Sequence, residues 1–295
     1  MAEVANDEVR RAQNWLGTLV EIRAGGAARN ALDDGVAAGF AAIAAIHRAL
    51  SGHAADSELA ALNRHAAHAP QRVSEHLRRV LACALDLARA SAGVFDPTVG
   101  GALSALGYLP PPREPPAPAS WRDVELRDGR VRFARPLTLD FDGIAKGYAV
   151  DCAMTAMRAR GIAHGCVNAG GDLRVWGAAA ETVHVRTGGP QGALLPLATL
   201  GDAAVATSAY GGQRRSSGGR YATPLIDPRS ALPVMSTRTV SVIAPTCMVA
   251  DALTKIVALS GARAARLVAA YGASAAILTP TRGRWRCTTL PRRAA

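Results

Sequence analysis

DFDGIAKGYAVD (Asp140–Asp151) sets three carboxylates, Asp140, Asp142 and Asp151, around two glycines that bracket Ile144-Ala145-Lys146. It holds one of only two lysines in a chain whose 34 basic residues are otherwise all arginine. A strand-like run, Leu137 to Asp140, leads into the stretch, and a helix from about Gly147 to Arg160 is expected to leave it. Gly143 allows close approach of the backbone to a ligand or metal, and the helix start offers unpaired N–H groups to anionic oxygen. Lys146 adds a compact point charge at the same place. A solvated helix-start residue would be arginine in this composition, so the ammonium reads as a ligand-facing group.

Upstream, Leu16 to Arg23 reads as a strand and Ala31 to Leu50 as a helix. Asp56 or Ser57 is a plausible N-cap for a short helix, and Ser74 to Ala92 predicts a long helix ending at Gly93. After the Pro-rich stretch come expected strands at Val124 to Arg127, Val131 to Phe133, Cys166 to Asn168 and Leu173 to Trp176. A helix pair is expected at Met248 to Leu259 and Ala262 to Tyr271. Short strands mixed with long helices predict an α+β fold, a mixed or antiparallel sheet covered by helices. One domain is expected over 12–290, with a surface loop at 110–118 (PPPREPPAP) and a flexible N-terminus at 1–11.

The formal charge is +11, which admits nucleic acid, an anionic membrane or an anionic small ligand. Nucleic acid is excluded by the scattered arginines and by an aromatic content of 4%, too little for a stacking surface. The longest apolar run, from Val36, is too short to span a bilayer, and the N-terminal stretch lacks an apolar segment of export type. Five cysteines without a CxxC spacing give neither a disulfide framework nor a zinc cage. The expectation is a cytoplasmic protein without membrane insertion.

GVFDPTVGG from Gly93, DFDGIAKG from Asp140, NAGGDLRVWG from Asn168 and PLIDPRSALP from Pro224 each join a strand-like run to a turn and a carboxylate. Singly they are ordinary turns. Together, in a basic chain, they suit a phosphorylated ligand bound through a divalent cation. The second lysine lies in CMVADALTKIVALSG, where Asp251, Thr254 and Lys255 share one helical face. The plainer reading makes Asp251 a complement to the helix dipole and turns Thr254 toward backbone.

With LGT at Leu16, DSELAALN at Asp56, GVFDPTVG at Gly93, LDFDGIAKGYAVD at Leu139, NAGGDLRVWG at Asn168, ATSA at Ala206, IDPRS at Ile226 and ADALTK at Ala250, the chain resembles the FAD:protein FMN transferases, the ApbE family, from about Leu16 to Gly272. The resemblance implies Mg²⁺-dependent transfer of FMN from FAD to a threonine or serine of an acceptor flavoprotein, with AMP released. It further implies FAD contacts from Leu16, His53, Val94, Phe95, Asp96, Asp140 and Lys146, and a metal held by the Gly143 carbonyl, Asp251 and Thr254. Asp251, Thr254 and Lys255 would carry the catalysis.

Five departures bear on this expectation. Leu16 stands for the family's methionine, His53 for a tyrosine, Pro224 for a histidine, and Ser230-Ala231 for Thr-Gly. Lys255 takes the place of the family threonine, with Thr254 one residue earlier. Lys255 therefore either shares neutralisation of the pyrophosphate with Mg²⁺ or weakens metal binding. Two other outcomes stay open: an Mg²⁺-dependent FAD pyrophosphatase, and a non-catalytic FAD-binding protein.

Overall fold

The computed structural model describes residues 8–112, 114, 118–177, 180–187, 192–210, 215–217, 220–282 and 284–291. Its centre is an eight-stranded sheet of β1 (Glu8–Trp15), β2 (Thr18–Gly25), β3 (His164–Ala169), β4 (Asp172–Trp176), β5 (Ala203–Ala209), β6 (Thr239–Ala244), β7 (Ser274–Thr281) and β8 (Arg284–Leu290). The strands neighbour one another in chain order, and every pairing is antiparallel. Helices enter as two insertions. Between β2 and β3 come α1 (Arg29–Leu50), α2 (Glu58–His65), α3 (Glu75–Ala90), α4 (Gly100–Ala105) and α5 (Ala145–Arg158); between β6 and β7 come α6 (Cys247–Ser260) and α7 (Ala265–Ala270).

Alanine and glycine set how closely these helices approach. α1 buries Leu32, Val36, Phe40, Ile43 and Ile46 along one stripe and packs on α5, which in turn packs on α6. A Cβ at Gly147, in the first turn of α5, would lie 2.2 Å from the Cys247 carbonyl oxygen, so glycine there permits backbone-to-helix contact. One apolar cluster runs from Val9 to Leu290 on the helical side. A second, on the other face of the central strands, joins Cys166, Leu173, Val175 and Val205 to Val183 and Leu200 of a hairpin, Glu181–Arg186 with Leu194–Leu200. Covered on both faces, β4 is buried at all five positions.

Ser57 caps α2 by accepting the Ala60 N–H, and Ser74 caps α3 by accepting that of Leu77. Glu58 in turn accepts the Ser74 N–H and hydroxyl at 2.6 Å each, tying the two helix starts together. The turn from β1 to β2 has only Leu16 and Gly17 between paired Trp15 and Thr18, with φ of 56° and 71°. That is a two-residue turn of the primed type, which matches strand twist.

Two expectations are corrected. Residues 8–11 are no flexible tail: they pair with β2 at Glu8↔Gly25 through Arg11↔Ile22, and Val9 joins the core. Residues 1–7 lie outside the described residues. Leu137 to Asp140 forms no strand and belongs to no sheet. Its hydrogen bonds go instead to the Asn63 side chain, which donates to the Leu139 carbonyl at 3.0 Å and accepts the Leu139 N–H at 2.9 Å. The Asp140 N–H donates to the Pro97 carbonyl at 2.8 Å. A side-chain amide thus does what a neighbouring strand would do. In the Pro-rich loop, residues 110–112, 114 and 118 have no regular structure, and 113 and 115–117 are outside the described residues. Among the described residues no helix is long and apolar enough to cross a membrane.

Candidate functional site

A cleft of about 770 Å³ opens among the β1–β2 turn, the end of α1, the turn before α4, the start of α5, the end of β5 and α6. Leu16, His53, Val94, Phe95, Asp96, Asp140, Gly143, Lys146 and Lys255 all border it. Asp251 and Thr254 do not; both are completely buried behind Lys255. The volume lies in the range of small-molecule and cofactor sites, and the lining mixes apolar walls with a few convergent polar groups.

Two lysines form its floor, each backed by a buried aspartate. Lys146, in the first turn of α5, pairs with Asp172, which opens β4 and is 1% exposed. Lys255 pairs with Asp251 one helical turn earlier on α6. The Gly147 N–H donates to the second Asp251 oxygen at 3.3 Å, joining the two pairs. Burial opposes the Lys146 charge, but the carboxylates of Asp172 and Asp251 outweigh it and its pKa is raised. For Lys255 burial is likewise overcome by Asp251, and the pKa again rises. Burial and the neighbouring Asp251 charge raise Asp172. Burial would raise Asp251 too, yet Lys255, Lys146 and the Gly147 N–H hold it below its ordinary value. Both lysines stay charged, facing a cleft that a polyanion can enter.

The start of α6 is fixed by Asp151, the last residue of DFDGIAKGYAVD. Its carboxylate accepts the backbone N–H groups of Cys247 and Met248 at 2.9 Å each, and Thr246 accepts that of Val249. Thr254 points at backbone, donating to the Asp251 carbonyl at 2.7 Å, and its hydroxyl also meets Ser208 at 2.8 Å.

The resulting set does not fit a resident Mg²⁺ as it stands. Mg²⁺ needs near-octahedral oxygen ligation. Here both Asp251 oxygens are engaged by Lys255 and Gly147, the Thr254 hydroxyl is turned inward, and the Lys255 stem passes 3.2 Å from where a Gly143 Cβ would stand. Among the described residues no group of three or more His, Cys, Asp or Glu side chains could hold a metal.

Other expected contacts differ in kind. Asp96 faces inward: it accepts the Thr98 N–H and hydroxyl at 2.9 and 2.7 Å and the Trp121 N–H at 3.0 Å, shaping the turn that presents Val94 and Phe95. Asp140 is buried with Oδ1 unpaired among the described residues. Burial, then the charge of Asp142, push its pKa up to about 8 against the pull of His53 and Lys255. His53 stands 3.9 Å from Asp142 at the exposed rim. Pro224 borders the cleft as well.

Three participants carried no assigned role in the sequence reading. Asp172 and Ser208 sit inside motifs already singled out, but their partners are distant in the chain. Tyr210, 4% exposed, borders the cleft with a hydroxyl that has no hydrogen-bond partner among the described residues. Only burial reveals it.

A FAD:protein FMN transferase of Rhodobacter capsulatus is 30% identical over 263 residues, covering 83% of this chain and 50% of that protein. One from Vibrio cholerae serotype O1 is 29% identical over 230 residues, 69% of this chain and 66% of its own length. The chain thus spans between half and two thirds of these relatives. The solved structure of the flavin transferase ApbE from Vibrio cholerae superposes with a TM-score of 0.81 over 97% of this chain and 98% of that one, at 22% identity. The ApbE protein of Thermotoga maritima does so with a TM-score of 0.81 over 92% and 94%, at 24% identity. Those likenesses establish the fold. The sequence pattern of the ApbE family matches residues 16–278, which takes in every element of the cleft, and the protein belongs to the ApbE family.

Proposed function

We propose that this protein transfers FMN from FAD to a threonine or serine hydroxyl of an acceptor flavoprotein and releases AMP. The observation that carries the reading is the pair of charged lysines, Lys146 and Lys255, on the floor of a cleft large enough for a dinucleotide. The names of the two relatives support it. The acceptor oxygen bonds to the phosphorus on the riboflavin side while the bridging P–O bond to the AMP phosphate breaks. AMP leaves with the bridging oxygen, and the hydroxyl proton passes to that phosphate or to water.

The chain's contribution is positioning and charge neutralisation, the main needs of phosphoryl-type transfer. Lys146 and Lys255 hold pyrophosphate oxygens; the Ala145 and Gly147 N–H groups at the start of α5 are spent on the Phe141 carbonyl and on Asp251. Leu16, Phe95 and Tyr210 form walls for planar groups, and His53 at the rim adds a smaller stacking face than a tyrosine would. The residues are not arranged to hold Mg²⁺. The five cysteines are free, as suits a reducing compartment.

The test is to incubate the protein with FAD, with and without an acceptor domain bearing a target threonine, and to follow AMP release and flavin fluorescence on a denaturing gel. Covalent fluorescence with matching AMP is expected. AMP with free FMN would make the protein a pyrophosphatase, and retained FAD without AMP a flavin-binding protein.

A further inference from the structure

Lys255 stands where the resemblance puts a metal. Its ammonium reaches the Asp251 carboxylate, the Asp251 carbonyl at 3.4 Å and the Ser208 hydroxyl at 3.4 Å, and its stem lies against Gly143. Asp251 and Gly143 are two of the three expected metal ligands. The third, Thr254, is spent on the Asp251 carbonyl and on Ser208. A divalent ion reaching Asp251 would have to displace an ammonium whose side chain is only 22% exposed and leave the two cations facing each other with little water between them. Lys255 also borders the cleft, so the same ammonium is open to ligand on its other side.

We propose that Lys255 is a built-in cation that replaces the divalent metal of this site, binding Asp251 from below and a phosphate oxygen of the pyrophosphate from above. The phosphate half of this statement rests on the flavin-transfer reading; the metal half does not. The residue type fits the task. An ammonium is a compact point charge that can occupy an ion's position, whereas a planar guanidinium cannot, and every basic residue other than Lys146 and Lys255 is arginine. Ligand binding at this site then needs no divalent ion.

The experiment titrates Mn²⁺, read by electron paramagnetic resonance, into the full chain and into Lys255→Thr, each alone and with FAD, and measures FAD affinity in EDTA and in Mg²⁺. The wild-type chain is expected to bind no stoichiometric Mn²⁺ and to hold FAD equally well in EDTA and Mg²⁺. Lys255→Thr is expected to gain one Mn²⁺ and, in EDTA, to lose roughly tenfold in FAD affinity, recovered with Mg²⁺. One tightly bound Mn²⁺ per wild-type chain, or FAD binding that EDTA abolishes, would overturn the proposal. Should FAD bind neither protein under any condition, the flavin reading and the phosphate half fail, while the Mn²⁺ titration still decides the metal half. The wild-type arms need no variant, so a Lys255→Thr chain that does not fold leaves the proposal falsifiable.

Discussion

Asp151 on α5 accepts the backbone N–H of Cys247 at 2.9 Å and so fixes where α6 begins. With the matching bond from Met248, one carboxylate satisfies two of the orphan donors of the helix that carries Asp251 and Lys255. Asp151→Ala leaves both part-buried donors unpaired, a loss of about 2 kcal/mol. Thermal unfolding should show a midpoint lower by roughly 3 °C for a chain of this size. A midpoint within a degree or so of wild type would show that the cap contributes nothing.

Gly147→Ala is expected to be far more damaging than its one added carbon suggests. The new Cβ would sit 2.2 Å from the Cys247 carbonyl oxygen and 2.8 Å from the Met248 nitrogen, both backbone atoms that cannot swing aside. Helices α5 and α6 would have to part, at about 3 kcal/mol or more. Soluble yield and the urea midpoint are the measurements, and a wild-type midpoint would contradict the packing described.

Asp140 makes stability depend on pH. Its pKa rises from an ordinary 3.8 to about 8 on folding, first through burial and then through Asp142. The folded chain therefore keeps a proton that the unfolded chain releases; the stabilisation is complete below the lower value and lost as pH rises through the upper one. Asp140→Asn, neutral throughout, should gain on wild type by roughly 2 kcal/mol between about pH 5 and about pH 9, less than full linkage because relaxation and water screen the charge. Denaturation midpoints of the two proteins across that range test this; parallel profiles would refute it.

Tyr210→Phe separates folding from binding. Among the described residues the Tyr210 hydroxyl makes no hydrogen bond of good geometry, although it lies close to the Ser208 and Thr254 hydroxyls, so the unliganded variant should melt within about 2 °C of wild type. If the hydroxyl serves the ligand, FAD affinity falls about fivefold, the worth of one neutral hydrogen bond. Equal affinity in a flavin-quenching titration would make Tyr210 a wall and nothing more.

Much of this architecture is local and could be read from the chain. The stripe of α1, the caps Ser57 and Ser74, and the turns around β3 and β4 follow from neighbours a few residues apart. The pairings that make the site are not local. Lys146 meets Asp172 across 26 positions and Gly147 meets Asp251 across 104, so the sequence could mark Lys146 as anomalous without naming its partner. Asp96 is named through the family resemblance and does border the cleft, but its bonds to Thr98 and Trp121 depend on how the turn folds. Leu137 to Asp140 read as a strand because its alternation is real, but Asn63 supplies the hydrogen bonds a sheet would have given.

The first turn of the sheet carries one further consequence. Leu16 holds a left-handed backbone angle, φ 56°, which costs a side chain with a Cβ on the order of 1 kcal/mol and which asparagine tolerates better. The same residue is a wall of the cleft. Leu16→Asn should therefore yield a tougher protein with a poorer pocket: at its opening hairpin, this chain sets heat resistance against ligand shape.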